Sequence, residues 1–85
     1  MHKYTILIPS YNDWECLNLL IPSINETLES FNEDVSILII NDASTIKNNL
    51  SLKNLNNLKK IENINLKKNV RAQKAVATGL YYLQQ

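Results

Sequence analysis

Val35-Ser36-Ile37-Leu38-Ile39-Ile40 is the clearest aliphatic run of the chain. Short runs of this kind, rich in β-branched residues, predict a strand whose two faces are both buried. The run ends abruptly at a polar cluster, Asn41-Asp42-Ala43-Ser44-Thr45. Because strands covered on both faces belong mainly to parallel sheets, the run predicts the central strand of an α/β protein.

The sequence before this strand predicts a strand and a helix. Tyr4-Thr5-Ile6-Leu7-Ile8-Pro9 is short, apolar and closed by a proline, as expected for a buried first strand. From Trp14 to Phe31 the apolar residues recur at steps of three and four, which predicts an amphipathic helix. Pro22 lies inside that pattern, so the helix either kinks there or restarts with the proline in its first turn.

The sequence after the central strand predicts two further helices and a strand between them. Leucines at 50, 52, 55 and 58 indicate a second, weaker helix. A third strand is expected from Lys60 to Leu66, nearer an edge because it is more polar. Arg71 to Gln85 places small and aliphatic residues on one face of a last helix.

This order is β-α-β-α-β-α, which predicts a three-layer α/β fold with a Rossmann-like parallel sheet. A chain of 85 residues has room for one domain at most, so residues 1–85 are expected to form a single unit. The helical pattern is still running at Gln85 without a capping glycine. We therefore expect this unit to be part of a larger fold.

Composition excludes several classes of protein. Nine Lys and Arg against eight Asp and Glu give a net charge of +1, so the concentrated basic surplus of nucleic-acid modules is missing. Cys16 is the single cysteine, which excludes an internal disulfide and favours a cytoplasmic location. No apolar stretch is long enough to span a bilayer. Cys16 itself has no histidine near it in sequence, so we expect a buried or half-buried, inert thiol.

Three segments follow the predicted strands, where open α/β sheets bind their ligands: Pro9–Asp13, Asn41–Thr45 and Leu66–Lys74. The first contains an aromatic ring and polar groups that suit a base and ribose, and the second places polar groups directly after the core strand. The third is a cationic patch beside a helix start, which suits a diphosphate. The candidate binding residues are Pro9, Ser10, Tyr11, Asn12, Asp13, Asn41, Asp42, Ser44, Arg71 and Lys74, with Lys67 and Lys68 nearby.

Each segment also has a purely structural interpretation. Ser44 and Asp13 are both placed to cap a following helix, and Asn12 is placed to complete a turn. The lysines around Lys74 fit an ordinary solvated helix end. Asp42 is hardest to explain structurally, because it is a carboxylate at the mouth of a central strand. No glycine-rich phosphate loop or GxGxxG follows the first strand, so classical dinucleotide binding is excluded.

Taken together, the three segments resemble family 2 glycosyltransferases of the GT-A fold. Residues 6–13, ILIPSYND, resemble the family's opening strand with P-x-Y-N-E/D, and residues 39–45, IINDAST, resemble its D-D-G-S-T segment. Residues 69–80, NVRAQKAVATGL, resemble its N-x-G…A…G-L helix. The resemblance covers essentially the whole chain.

The resemblance implies the amino-terminal, nucleotide-sugar-binding part of an enzyme that transfers a sugar from a nucleoside diphosphate donor to an acceptor. It implies that Asp42 contacts the nucleobase and that Mn²⁺ or Mg²⁺ serves the complete enzyme. The family's metal-binding D-x-D occurs nowhere in these 85 residues, so neither metal ligands nor catalytic residues are expected among them. Alone, the chain is expected to be inactive.

Three departures from the family pattern affect the site. Asn41 stands where the family usually has its first aspartate, and Ala43 and Arg71 replace two usual glycines. At Ala43, a glycine-type backbone conformation would be strained. Arg71 either adds a phosphate or base contact or crowds the pocket. The alternative hypothesis is a non-catalytic nucleotide-binding or oligomerising α/β module that self-associates through an exposed sheet edge.

Overall fold

The computed structural model describes residues 2–84. Three parallel strands form one sheet in the order β1-β2-β3, where β1 is Lys3–Ser10, β2 is Asp34–Asn41 and β3 is Lys60–Asn65. The helices are α1, Trp14–Thr27, continued by a 3₁₀ turn over Leu28–Ser30, and α2, Arg71–Leu83. The predicted α/β class, the parallel sheet and the edge position of the third strand are confirmed.

The central position of β2 is confirmed as well, because its side chains are buried on both faces. Val35, Ile37 and Ile39 join the core that α1 covers, together with buried residues of that helix and Leu58. Leu38 and Ile40 point to the other face, where they meet Ala75 of α2. Alternation along one strand thus supplies both cores.

Helix α1 runs through Pro22 without a break, so a restart at the proline is excluded. Its buried residues Trp14, Leu17 and Ile21 lie on one face, as the spacing predicts. Helix α2 approaches the sheet closely at Gly79. A Cβ atom there would lie 2.5 Å from a terminal carbon of Leu7 and 3.1 Å from Ile40, so any other residue at this position would require the Leu7 side chain to shift.

The predicted second helix is wrong. Residues 46–59 form an irregular strap, which we call the 46–59 strap, with one turn at residues 56–57. Its leucines still pack against the α1 core, where Leu58 is buried and the rest are partly buried. Asparagines favour this outcome locally: the Asn48 side chain accepts the Leu50 amide at 2.9 Å in place of a helical hydrogen bond, and Asn54 adopts a left-handed φ of 57°.

Asparagines of α1 hold the strap against the helix. The Asn18 side chain donates to the Asn49 carbonyl (2.9 Å) and accepts from the Ser51 amide (2.8 Å). About two turns further along α1, the Asn25 side chain accepts a hydrogen bond from the Asn57 amide at 2.8 Å. The strap therefore covers one face of the sheet without needing helical structure of its own.

Candidate functional site

A cleft opens at the carboxyl edge of the sheet, where β1 and β2 end and α2 begins. Its volume is about 480 Å³. The lining residues come from all three predicted segments and are Tyr11, Asp42, Asn69, Arg71 and Ala72. Three of the predicted binding residues, Tyr11, Asp42 and Arg71, are therefore brought to one place, and Tyr11 is 43% exposed there.

Asp42 is buried at the floor of this cleft, with 3% of its surface exposed. One carboxylate oxygen, Oδ1, accepts the Val70 amide at 2.7 Å. The other, Oδ2, accepts the Asn69 side-chain amide at 3.1 Å. Because buried carboxylates need such donors, these bonds explain how Asp42 is kept at the strand end and how it anchors the start of α2.

A smaller recess of about 130 Å³ adjoins the cleft. Ser10 lines it and is 2% exposed, and its hydroxyl has no hydrogen-bond partner among residues 2–84. The recess also brings Asp13 to this edge of the sheet. Its full lining is Pro9, Ser10, Tyr11, Asp13, Asp42 and Ala72. Three further predicted binding residues, Pro9, Ser10 and Asp13, therefore lie beside Asp42 in this recess.

Asn12, Asn41 and Ser44 lie beside the cleft and bind one another. The Ser44 hydroxyl accepts the Asn12 amide at 2.9 Å and is hydrogen bonded to Asn41 Oδ1. Asn41 Nδ2 in turn donates to Asn65 Oδ1 at 2.9 Å, which links the ends of β2 and β3. These three predicted binding residues thus form a brace between the loops.

The prediction that Ser44 caps a following helix is wrong. No helix follows it, since residues 46–59 are irregular, so Ser44 caps nothing and instead ties two loops together. Asp13 does stand at the N-cap position directly before α1, where its carbonyl accepts the Leu17 amide at 2.9 Å. Its side chain makes no capping bond, and its carboxylate accepts the Tyr11 amide at 3.5 Å.

Lys74 lies next to the cleft, on the first turns of α2. With Lys68 and Arg71 it lines an open depression of about 530 Å³ around the helix start. All three side chains are exposed. The cations and the free amides of a helix amino terminus both favour anions, so this depression is electrostatically suited to phosphate groups.

Two residues that replace family glycines have left-handed backbone. Ala43 has φ of 58° and Arg71 has φ of 70°. For residues with a Cβ this region costs roughly 1–2 kcal/mol. The strain anticipated at Ala43 is therefore present, and it recurs at Arg71. Both residues border the cleft, directly after Asp42 and Val70.

Asn69 is a residue of the cleft that the sequence-based site prediction missed. It is exposed, lines the cleft and bonds Asp42. The sequence signal for Asn69 was an Asx residue just before a helix, a position where such side chains bond neighbouring groups.

The prediction that Cys16 is buried or half-buried was also wrong, because Cys16 is exposed. The segment 14–22 is helical, and the outward face of that helix carries Cys16.

Residues 2–84 show neither a metal-binding cluster nor a membrane-spanning helix. No group of three or more His, Cys, Asp or Glu side chains could hold a metal ion, so these residues do not fit the divalent cation expected of the complete enzyme. In the same part of the chain, no helix has the length and apolar character needed to cross a membrane.

Comparison with known proteins identifies the family. The family model of glycosyl transferase family 2 matches residues 5–85, a span that contains all three segments of the cleft. No curated protein and no solved structure matches the chain significantly. The match covers nearly the whole sequence, and the parallel sheet with its cleft at the carboxyl edge is the architecture that the sequence motifs predicted. The chain therefore belongs to glycosyl transferase family 2.

Proposed function

We propose that the chain is the nucleotide-sugar-binding portion of a glycosyltransferase that transfers a sugar from a nucleoside diphosphate donor to an acceptor. The observation that carries the proposal is the cleft in which Tyr11, Asp42 and Arg71 meet. A family match alone supports glycosyl transfer in general. The cleft adds groups whose chemistry fits a donor nucleotide.

Each part of the nucleotide has a candidate partner. The exposed Tyr11 ring offers a stacking surface for the base, and Asp42 offers carboxylate lone pairs to a base N–H. Arg71 and Lys74 offer positive charge to the diphosphate at the start of α2. Pro9, Ser10 and Asp13 shape the recess beside the base position, while Asn12, Asn41 and Ser44 contribute by holding the loops.

The proposal assigns no chemical step to this chain. Residues 2–84 contain no cluster of three or more His, Cys, Asp or Glu side chains that could hold the cation that would stabilise a departing diphosphate. We expect weak nucleotide binding and no sugar transfer by the 85-residue polypeptide. Its cytoplasmic location also stays a prediction, supported by the single Cys16.

An NMR titration of the isotope-labelled chain with UDP, GDP, CDP and dTDP, with and without Mg²⁺, tests the proposal. Saturable shifts of Tyr11, Asp42 and Arg71 amides with one base are expected. Tyr11→Ala should weaken that nucleotide about tenfold, since stacking on an aromatic ring is worth about 1–3 kcal/mol. Tyr4→Ala, a matched change of an exposed tyrosine on β1, should leave the affinity unchanged. A well-folded spectrum without shifts would contradict the proposal.

A second candidate function is self-association through a sheet edge, and the character of β1 favours it. Strand β1 has no neighbour on its outer side among residues 2–84, and it carries no charge from Tyr4 to Ser10. The opposite edge, β3, carries the Lys60–Glu62 ion pair (3.1 Å), which discourages pairing. Sedimentation velocity should show a dimer that Thr5→Lys dissociates. A compact monomer at high concentration would exclude this function.

A further inference from the structure

Asn69 makes two bonds to a single residue. Its side-chain nitrogen lies 3.1 Å from the main-chain carbonyl of Asp42 and 3.1 Å from Asp42 Oδ2. One amide therefore fixes both the backbone and the side chain of Asp42. The Val70 amide, bonded to Oδ1 at 2.7 Å, completes the set of donors.

These bonds act at a place where the backbone is strained on both sides. Ala43 follows Asp42 and Arg71 follows Val70, and both have positive φ. Strained conformations persist only where the surrounding contacts over-determine them. The contacts that join the two strained segments here are the three bonds between Asp42 and the Asn69–Val70 pair.

The same bonds decide which lone pairs of Asp42 remain for a ligand. A carboxylate has about four lone-pair sites, and the amides of Asn69 and Val70 occupy one on each oxygen. A fixed carboxylate presents its remaining lone pairs in one direction, whereas a free one rotates about its terminal torsion. Asn69 lines the cleft beside Asp42, so its bond orients the carboxylate at the cleft wall.

We propose that Asn69 is a positioning residue of the donor site, which orients the Asp42 carboxylate for the nucleobase. This inference rests on the proposed function, because it needs a nucleotide in the cleft. It assigns Asn69 to base recognition and not to the phosphates. The side chain therefore acts through Asp42, and its loss affects only ligands that carry a base.

The test compares Asn69→Ala with the native chain for two probes, the tightest of UDP, GDP, CDP and dTDP, and inorganic pyrophosphate. We expect the nucleotide to bind about tenfold more weakly, as for the loss of a hydrogen bond to a charged group. Pyrophosphate affinity should change less than twofold. Asn32→Ala is the matched control, since Asn32 is exposed and lies just before the amino end of β2, at the opposite edge of the sheet from the cleft.

A double-mutant cycle separates positioning from a general effect on folding. In an Asp42→Asn background, Asn69→Ala should have no further effect on nucleotide affinity, because the group it orients is already changed. Asn69→Leu keeps a similar side-chain size without the donor and without a new charge, and it should reproduce the loss. This second variant replaces the alanine variant in the binding test if the NMR spectrum of the alanine variant shows that it does not fold.

The outcomes distinguish this inference from the proposed function. Unchanged or tighter nucleotide binding by both Asn69 variants would overturn the positioning role, and so would an equal loss for nucleotide and pyrophosphate. Nucleotide binding by the native chain would still stand in those cases. If the native chain bound none of the four nucleotides, the proposed function and the positioning role would both be wrong.

Discussion

Ala43 shows how a single residue can carry a measurable cost at the edge of the site. Its φ of 58° is one that L-residues with a Cβ adopt with strain. The amide of Ala43 bonds the Asn41 carbonyl at 2.9 Å, so the turn is closed locally. The conformation is thus imposed by the loop, whereas at Asn12 and Asn54 it falls on a residue type that tolerates it.

Ala43→Gly should therefore stabilise the protein. Relief of about 1–2 kcal/mol of strain is partly offset by the greater freedom of glycine in the unfolded chain, about 0.5–1 kcal/mol. We expect a net gain of up to about 1 kcal/mol in the free energy of unfolding, measured in urea. Ala77→Gly, in the middle of α2, is the control and should lose about 1 kcal/mol. A destabilised Ala43→Gly variant would show that the turn is not strained.

The 46–59 strap is an element whose stability comes from side chains of a neighbour. Asn18 bonds it on two backbone groups, at Asn49 and Ser51. Apolar contacts of its leucines with the α1 core provide the rest. An element of this kind has few backbone bonds of its own, so it should open more easily than the strands.

Asn18→Ala is expected to loosen the strap without changing α1. Loss of two hydrogen bonds that are largely exposed should cost about 1 kcal/mol in unfolding free energy. Amide exchange should rise at residues 49–52 and stay unchanged in β2. Asn32→Ala, at an exposed position outside the helices and strands, is the control. Exchange that rises uniformly over the whole chain would contradict a local role for Asn18.

The carboxyl end of α2 is joined to β3 by an exposed polar contact. The Tyr82 hydroxyl donates to Glu62 at 2.7 Å, and Lys60 lies 3.1 Å from the same carboxylate. The bond from Tyr82, followed by that from Lys60, lowers the pKa of Glu62. In turn, the Glu62 carboxylate raises the pKa of Tyr82, because it accepts a hydrogen bond from the protonated Tyr82 hydroxyl.

These shifts predict opposite effects at the two ends of the pH range. The lowered pKa of Glu62 stabilises the fold above its unfolded-state pKa, and this is lost as the pH falls through the folded-state pKa. The raised pKa of Tyr82 stabilises the fold at lower pH and is lost as the pH rises through its folded-state pKa. Tyr82→Phe should flatten both ends of the stability–pH curve, while Tyr4→Phe should not. An unchanged curve for Tyr82→Phe would show that the contact does not persist in solution.

The whole molecule has two cores of unequal size on the two faces of one sheet. Helix α1 buries Trp14, Leu17 and Ile21, whereas α2 buries only Ala75 and Gly79. Since stabilisation scales with the apolar area removed from water, the α2 layer is held more weakly. The molecule is also thin, measuring 38 × 28 × 15 Å.

Native-state hydrogen exchange should reveal this inequality. Amides of β2 are expected to exchange by global unfolding, and those of α2 through a partial opening of lower free energy. Amides in the centre of α1 should be better protected than those in the centre of α2. A saturating nucleotide that binds both Asp42 and the start of α2 should slow exchange in α2 most. Equal protection of both helices would show that the two layers unfold as one unit.

Local patterns in the sequence determined the sheet and its order. The side chains of the aliphatic run 35–40 are removed from water only where both faces of the strand are covered. The spacing of apolar residues from Trp14 places three large side chains on one face of a helix. The cleft was predictable for the same reason, because parallel strands end at one edge and carry their loops with them. Tyr11, Asp42 and Arg71 were therefore expected together, and they line one cleft.

Tertiary contacts decided what local patterns left open. Leucines at 50–58 fit a helix by spacing, but bonds from Asn18 and Asn25 hold them as an extended strap. The role of Asn69 depends on its contact with Asp42, 27 residues away in the sequence, which no local pattern reports. Spacing reports which side chains share a face of an element, whereas hydrogen bonds between distant residues form only once the elements are packed together.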